Sequence, residues 1–201
     1  TASAGTSGTS GTATTSATAH KLHAIDATWR WFSHRLIRAQ VGNLLGAPAK
    51  GLPAFKMHDA GQGFRTHDPR LVGTVTSWPC ALALASTFDR SSVAAFATAA
   101  AAEFKRKGAN VILGPGLNVH RVARGGRNAE YLSGEDPVLG AELASAYVAA
   151  FHASGIMTVA KHYGFNQQET RRNTYDALVT AEAKELYYTP YKGAIEAGCM
   201  S

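Results

Sequence analysis

The chain has 201 residues, 45% of them hydrophobic and 17% charged, and a formal net charge of +6. Length and composition are those of a globular protein with one domain's core, which excludes a chain disordered throughout. The positive balance admits an acidic partner, but beyond Arg30, Arg35 and Arg38 the basic residues are scattered and not interleaved with aromatics, so no nucleic-acid platform is indicated.

Residues 1–19 contain only Thr, Ser, Ala and Gly, which cannot bury apolar surface and read as a disordered tail. Residues 20–50 form a lead-in. Within it, His20 to Leu45 places Leu22, Ile25, Trp29, Phe32, Leu36 and Leu44 at helical spacing, with Lys21, Arg30, His34 and Arg38 on the other side. That pattern predicts an amphipathic helix packed on its own domain, in preference to one lying on a membrane.

Residues 51–201 carry a different rhythm. A strand is predicted over Ala54 to His58, entered by Pro53 and ended by Asp59 and two glycines. Ser91 to Lys107 is an alanine-rich helix with a cap at Asp89 or Ser91 and Gly108 at its end. Asn110 to Leu113 is a buried strand closed by Gly114-Pro115-Gly116. After a long loop, Asp136-Pro137 starts a helix that runs to about Ser154. Ile156 to Ala160 is a further strand leading into Lys161-His162. Thr180 to Ala197 is a third helix, and Cys199-Met200-Ser201 opens one more strand.

Strand–helix alternation with strands apolar on both faces predicts a parallel sheet with crossover helices. Rhythm alone does not separate a doubly wound sheet from a (β/α)8 TIM barrel. The polar residues favour the barrel, because Asp59, the Asn118–Arg127 stretch and Lys161-His162 each follow a successive strand. The expected fold class is therefore α/β, a partial (β/α)8 TIM-barrel-like domain. No G-x-G-x-x-G joins a strand to a helix and no P-loop occurs, so a nucleotide cofactor is not indicated. Cys80 and Cys199 form no ligand set, the histidines have no metal-ligand spacing, and no run of about 18 apolar residues exists to span a membrane. No charged-then-apolar signal pattern opens the chain, and a start without Met suits a fragment.

A pyranose presents hydroxyls that both donate and accept, so a carboxylate together with Lys, Arg and His makes a suitable cradle. Asp59, Arg127, Lys161 and His162 form such a set; a phosphate site would dispense with Asp59. Each has a structural alternative. An Asp after a strand is commonly a turn residue or cap, and Arg124 and Arg127 beside Gly125-Gly126 read equally as loop charges. Lys161-His162 at the end of an apolar strand is harder to dismiss, because Lys is seldom buried without a partner. His58, His67, His120 and His152 read as structural or exposed. Glu130, Glu169 and Asp176 have no spacing that pairs them as an acid and a base.

Three stretches resemble glycoside hydrolase family 3, in its β-glucosidase-type members. They are Met57-His58-Asp59-Ala60-Gly61-Gln62-Gly63-Phe64-Arg65, then Gly114 to Arg121 running into Gly125-Gly126-Arg127-Asn128-Ala129-Glu130-Tyr131, and Lys161-His162-Tyr163 through Asn166-Gln167-Gln168-Glu169-Thr170-Arg171-Arg172. Pro79 to Asp89 and Gly134 to Pro137 match in order between them. His58 stands where the family usually has Glu, and Ala60-Gly61 where it has Gly-Pro. The resemblance implies a barrel domain whose strand ends hold the terminal sugar ring: Asp59 on its far hydroxyls, Arg127, Lys161 and His162 on their neighbours, Arg65 and Arg172 in support. It implies no cofactor, a β-glucoside or oligosaccharide as substrate, and an extracellular or periplasmic setting. The family's nucleophile Asp and acid/base Glu are expected beyond Ser201, so the chain alone is expected to be inactive, sparingly soluble and at best a millimolar binder of glucose. Alternatives from other classes are a non-catalytic sugar-binding remnant and a basic protein acting through the His20–Leu45 segment.

Overall fold

The computed structural model describes residues 42–59, 61–66 and 68–200. Four strands form one sheet: β1 (Gly42–Leu44), β2 (Phe55–Asp59), β3 (Val111–Leu113) and β4 (Met157–Thr158), in that spatial order. β1 runs antiparallel to β2, with Gly42 opposite Met57; β2–β3 and β3–β4 are parallel, with His58 opposite Ile112 and Ile112 opposite Thr158. The helices are α1 (Ala81–Ala85), α2 (Arg90–Arg106), α3 (Pro137–Ala153) and α4 (Ala181–Glu196). β2–α2–β3 and β3–α3–β4 are therefore successive parallel crossover units, as the alternating pattern predicts.

The helix starts follow from local chemistry. Asp89 accepts the Ser91 and Ser92 amides, Asp136 accepts those of Val138 and Leu139 with Pro137 in the first turn, and Thr180 accepts that of Ala183. Each satisfies donors that a helix start leaves unpaired. α2 and α3 press one face each onto the core. Val93, Phe96, Ala97, Ala100, Ala101 and Phe104 of α2 meet Leu143, Tyr147, Val148 and Phe151 of α3, with Ile112 of β3 and Ile156 just before β4. α4 lies so close to α3 that a Cβ on Gly193 would stand 2.4 Å from the Ala141 carbonyl oxygen. Only glycine permits this backbone approach.

Four sequence expectations change in detail. The predicted helix over 20–45 falls outside the described residues up to 41, and its last residues, Gly42–Leu44, are strand β1 instead. Gly42 and Asn43 are weak helix formers, and the edge of β2 offers them a ladder. The helix α1 had no signal, since Cys80 makes no side-chain cap and the segment spans one turn. The strand predicted over 156–160 keeps a regular ladder for only two residues; the pairing then shifts by one residue, with the Lys161 amide donating to the Pro115 carbonyl at 2.9 Å, and resumes at a bridge between Gly116 and Lys161. Cys199 and Met200 form no strand. Met157 donates to the Asn110 carbonyl and Val159 to that of Ile112, so the Thr158 groups face away from β3, and there the Met200 amide donates to the Thr158 carbonyl at 3.2 Å.

Candidate functional site

The carboxyl ends of β2, β3 and β4 open into a wide cleft of about 1240 Å³. All six sequence-predicted residues line it: Asp59, Arg65, Arg127, Lys161, His162 and Arg172. Parallel strands set in register deliver their C-terminal residues to one rim, so chain-distant charges meet there. Asp59 is the last residue of β2, and Lys161 is the bridge residue beyond β4.

Lys161 is the centre of the cluster. Its Nζ donates to Asp59 Oδ1 at 2.7 Å and lies 3.1 Å from Glu130 Oε1, with its side chain only 13% exposed. Arg127 forms a two-pronged pair with Glu130, Nε to Oε2 and Nη2 to Oε1, both at 2.7 Å. Its Nη1 also lies 3.5 Å from Glu169, which pairs in turn with Arg172 at 3.3 Å. Arg65 reaches Asp59 more loosely, at 3.7 Å, from an exposed position. Burial by itself would raise the Glu130 carboxyl, but Arg127 and Lys161 outweigh it and hold it below the usual carboxylate range. The cleft thus carries Arg65, Arg127, Lys161 and Arg172 against Asp59, Glu130 and Glu169, a near-balance of charge.

His162 is oriented from both sides. Its Nε2 lies 3.3 Å from Arg127 Nη2 and its Nδ1 3.1 Å from Tyr131 Oη. A guanidinium can only donate, so Nε2 is the acceptor and the ring proton sits on Nδ1, given to the tyrosine oxygen. Burial first, then Arg127 and Lys161, lower the His162 pKa, so the ring is neutral at pH 7. Burial likewise pushes the Tyr131 phenol up to about 12. The main chain here is pinned by Asn118, which is fully buried. Its Nδ2 donates to the carbonyls of His162, Gly164 and Asn166, while Oδ1 accepts the His162 amide and the Tyr191 hydroxyl.

Three participants were not assigned to the site in the sequence reading, although Glu130 and Glu169 were weighed there as an acid and a base. Glu130 carries a legible signal, since it stands three residues after Arg127 on a short 3₁₀ turn, a spacing that brings opposite charges together. Glu169 carries the same local signal toward Arg172 but none toward Arg127, and Asn118 has none, because its partners are distant in sequence. Asp176 and Arg124 are not among the residues lining the cleft. His58 is structural, as expected: it is fully buried and its ring lies 3.9 Å from that of Phe64. Among the described residues, no group of three or more His, Cys, Asp or Glu is placed to hold a metal ion, and no helix is long and apolar enough to cross a membrane.

Fold and cleft define an α/β domain with a mostly parallel sheet that collects charge-paired donors and acceptors at its strand ends. Residues 30–201 match the glycosyl hydrolase family 3 N terminal domain, and the chain belongs to that family. It is 37% identical over 150 residues to β-glucosidase B of Emericella nidulans, covering 74% of this chain and 18% of that protein. It is 33% identical over 162 residues to a Bacteroides ovatus β-glucosidase, covering 76% of this chain and 22% of that one. Among solved structures, it is similar to a Streptomyces venezuelae β-glucosidase in complex with D-glucose, with TM-score 0.74, 32% identity and coverage of 81% of this chain and 20% of that one. It is also similar to β-glucosidase 3B of Thermotoga neapolitana in complex with glucose, with TM-score 0.72, 34% identity and coverage of 79% and 23%. The chain therefore spans about a fifth of the length of these relatives.

Proposed function

We propose that these residues form the sugar-holding part of a retaining β-glucosidase site, in which Asp59, Arg127, Lys161 and His162 bind the hydroxyls of a terminal β-D-glucosyl ring and Arg65 and Arg172 brace them. The observation that carries this reading is Lys161, nearly buried at a strand end and tied to both Asp59 and Glu130 in an open cleft. Two of its three N–H bonds meet these carboxylates, and the third is left for a hydroxyl. Near-balanced charge suits a neutral polyol, whereas a phosphate site would carry a clear positive excess. The crossover units β2–α2–β3–α3–β4–α4 are, in this reading, the opening of a (β/α)8 barrel.

A retaining glycosidase needs one carboxylate as nucleophile and a carboxylic acid about 5–5.5 Å from it. Asp59, Glu130 and Glu169 are each held by cations, and Glu130 is kept ionised, unsuited to donating a proton near neutral pH. The catalytic pair is therefore proposed to come from outside these 201 residues. The same observation favours a second reading, a site that binds sugar and does no chemistry.

The test is to express the complete reading frame that encodes these residues and assay release of 4-nitrophenol from its β-D-glucoside, beside glucose binding by calorimetry. Hydrolysis inhibited by glucose, absent from the 201-residue polypeptide, supports the enzyme. Glucose binding without turnover supports the second reading. Neither binding nor turnover removes both.

A further inference from the structure

Glu130 is a carboxylate in the cleft that the proposed chemistry does not use. We propose that Glu130 is a positioning residue, which sets the guanidinium of Arg127 and the ammonium of Lys161 at one fixed separation and so shapes the sugar-binding edge of the cleft. The inference rests on the sugar-binding reading of that edge.

Its geometry leaves little other role. Both carboxylate oxygens accept from Arg127 at 2.7 Å, and Oε1 also lies 3.1 Å from Lys161 Nζ. Arg127 and Lys161 come from different places, one in the loop after β3 and the other beyond β4, and Glu130 is the one carboxylate among the ion pairs of the described residues that meets both. Without it the two cations would repel across the cleft, and Arg127 would be left with Glu169 at 3.5 Å and the His162 ring. The two-pronged pair fixes the plane of the guanidinium as well as its position.

The backbone that carries Glu130 is itself immobilised. Its carbonyl packs on Gly116, where an added Cβ would meet the Glu130 oxygen and the Tyr131 ring, each at 2.9 Å. The next residues are tied to the same place, with the Leu132 amide donating to the Gly116 carbonyl at 2.8 Å and the Leu117 amide to that of Lys161 at 2.7 Å. Glu130 and Lys161 thus stand on backbone joined through Gly116 and Leu117, so the distance between them is a property of the scaffold. A rigid second layer of this kind is what holds binding groups in productive geometry.

The test uses the product of the complete reading frame, with Glu130→Gln and Glu130→Asp compared with wild type. Glutamine keeps the shape but turns an amide N–H₂ toward the cations; aspartate keeps the charge with a shorter reach. Misplaced binding groups of this kind cost about 100-fold in kcat/KM. The expected result for Glu130→Gln is a loss of that order, seen as a raised KM and a raised inhibition constant for glucose. Glu130→Asp should recover at least tenfold of it. A purely structural role would reduce the amount of active enzyme and lower kcat, leaving KM and glucose inhibition unchanged, and that pattern overturns the proposal. So does a Glu130→Gln enzyme within threefold of wild type, or equal impairment of both variants. Should Glu130→Gln fail to fold, Glu130→Asp is read alone: a raised KM and glucose inhibition constant sustain the proposal, and wild-type values overturn it. A wild-type protein that neither hydrolyses the glucoside nor binds glucose defeats the sugar reading itself, which is a separate outcome.

Discussion

Replacing Lys161 by methionine removes the positive charge at the centre of the cleft while keeping the length of an apolar stem. The structure sets the size of the effect. Lys161 Nζ serves Asp59 at 2.7 Å and Glu130 at 3.1 Å, and in the proposed function its third N–H serves a sugar hydroxyl. A hydrogen bond to a charged group is worth about 1.5–3 kcal/mol. Two consequences push Lys161→Met toward the upper part of that range. Asp59 loses its 2.7 Å partner and holds Arg65 only loosely, at 3.7 Å, and two carboxylates that shared a cation are left to repel each other. A loss of about 2–3 kcal/mol is about 30- to 160-fold in affinity. The assay is steady-state hydrolysis of 4-nitrophenyl β-D-glucoside by the complete reading-frame product, with glucose as competitive inhibitor. Both kcat/KM and glucose inhibition should weaken by that factor. A change below threefold in both would refute the reasoning, because it would mean that Lys161 is a structural cation that never touches the sugar.

Two further predictions follow from the fold and from titration. Gly193→Ala drives a methyl group to 2.4 Å from the Ala141 carbonyl oxygen, with its carbon and Cα at 2.8 Å, so α3 and α4 must separate. The cost is about 1–3 kcal/mol, read as a lower urea midpoint; an unchanged midpoint would show that the two helices yield without resistance. Burial foremost holds His120 and His162 below their ordinary 6.5, so the folded protein binds fewer protons than the unfolded chain. Stability therefore rises with pH through this window and is lost as pH falls from 6.5 toward the lowered folded values. Glu130, held below 4.5, adds a second loss that begins below that pH as its carboxylate protonates. Thermal melts between pH 7.5 and about 2.5 should show both losses, with the first reduced in His162→Gln; a melting temperature rising on acidification would contradict the burial of these groups.

The element order was legible from the chain because its signals are local. A cap such as Asp89 or Asp136, an alanine-rich or apolar helical face, and a glycine past the end are read within one turn, and the helices fall within a residue or two of expectation. Asp59, Lys161 and His162 were legible because charge at the end of an apolar strand conflicts with local preference. Where the signal was not local, the sequence was silent or misleading. Gly42–Leu44 became a strand because β2 lay alongside it, and the ladder beyond Thr158 broke where the pairing shifts by one residue to the bridge between Gly116 and Lys161.

What the tertiary structure alone decided is who meets whom in the cleft. Asp59 and Lys161 lie 102 positions apart, yet share a hydrogen bond at 2.7 Å, because parallel strands bring their carboxyl ends to one edge. Nothing in the spacing marks Asn118 as the residue that pins the His162 backbone, or Glu169 as a partner of Arg127. Those pairings are properties of strand register and loop packing, which depend on the whole core closing at once. The sequence by itself determined most of the elements, the family and the residues proposed to hold a sugar; the fold supplied the distances, and with them the part proposed for Glu130.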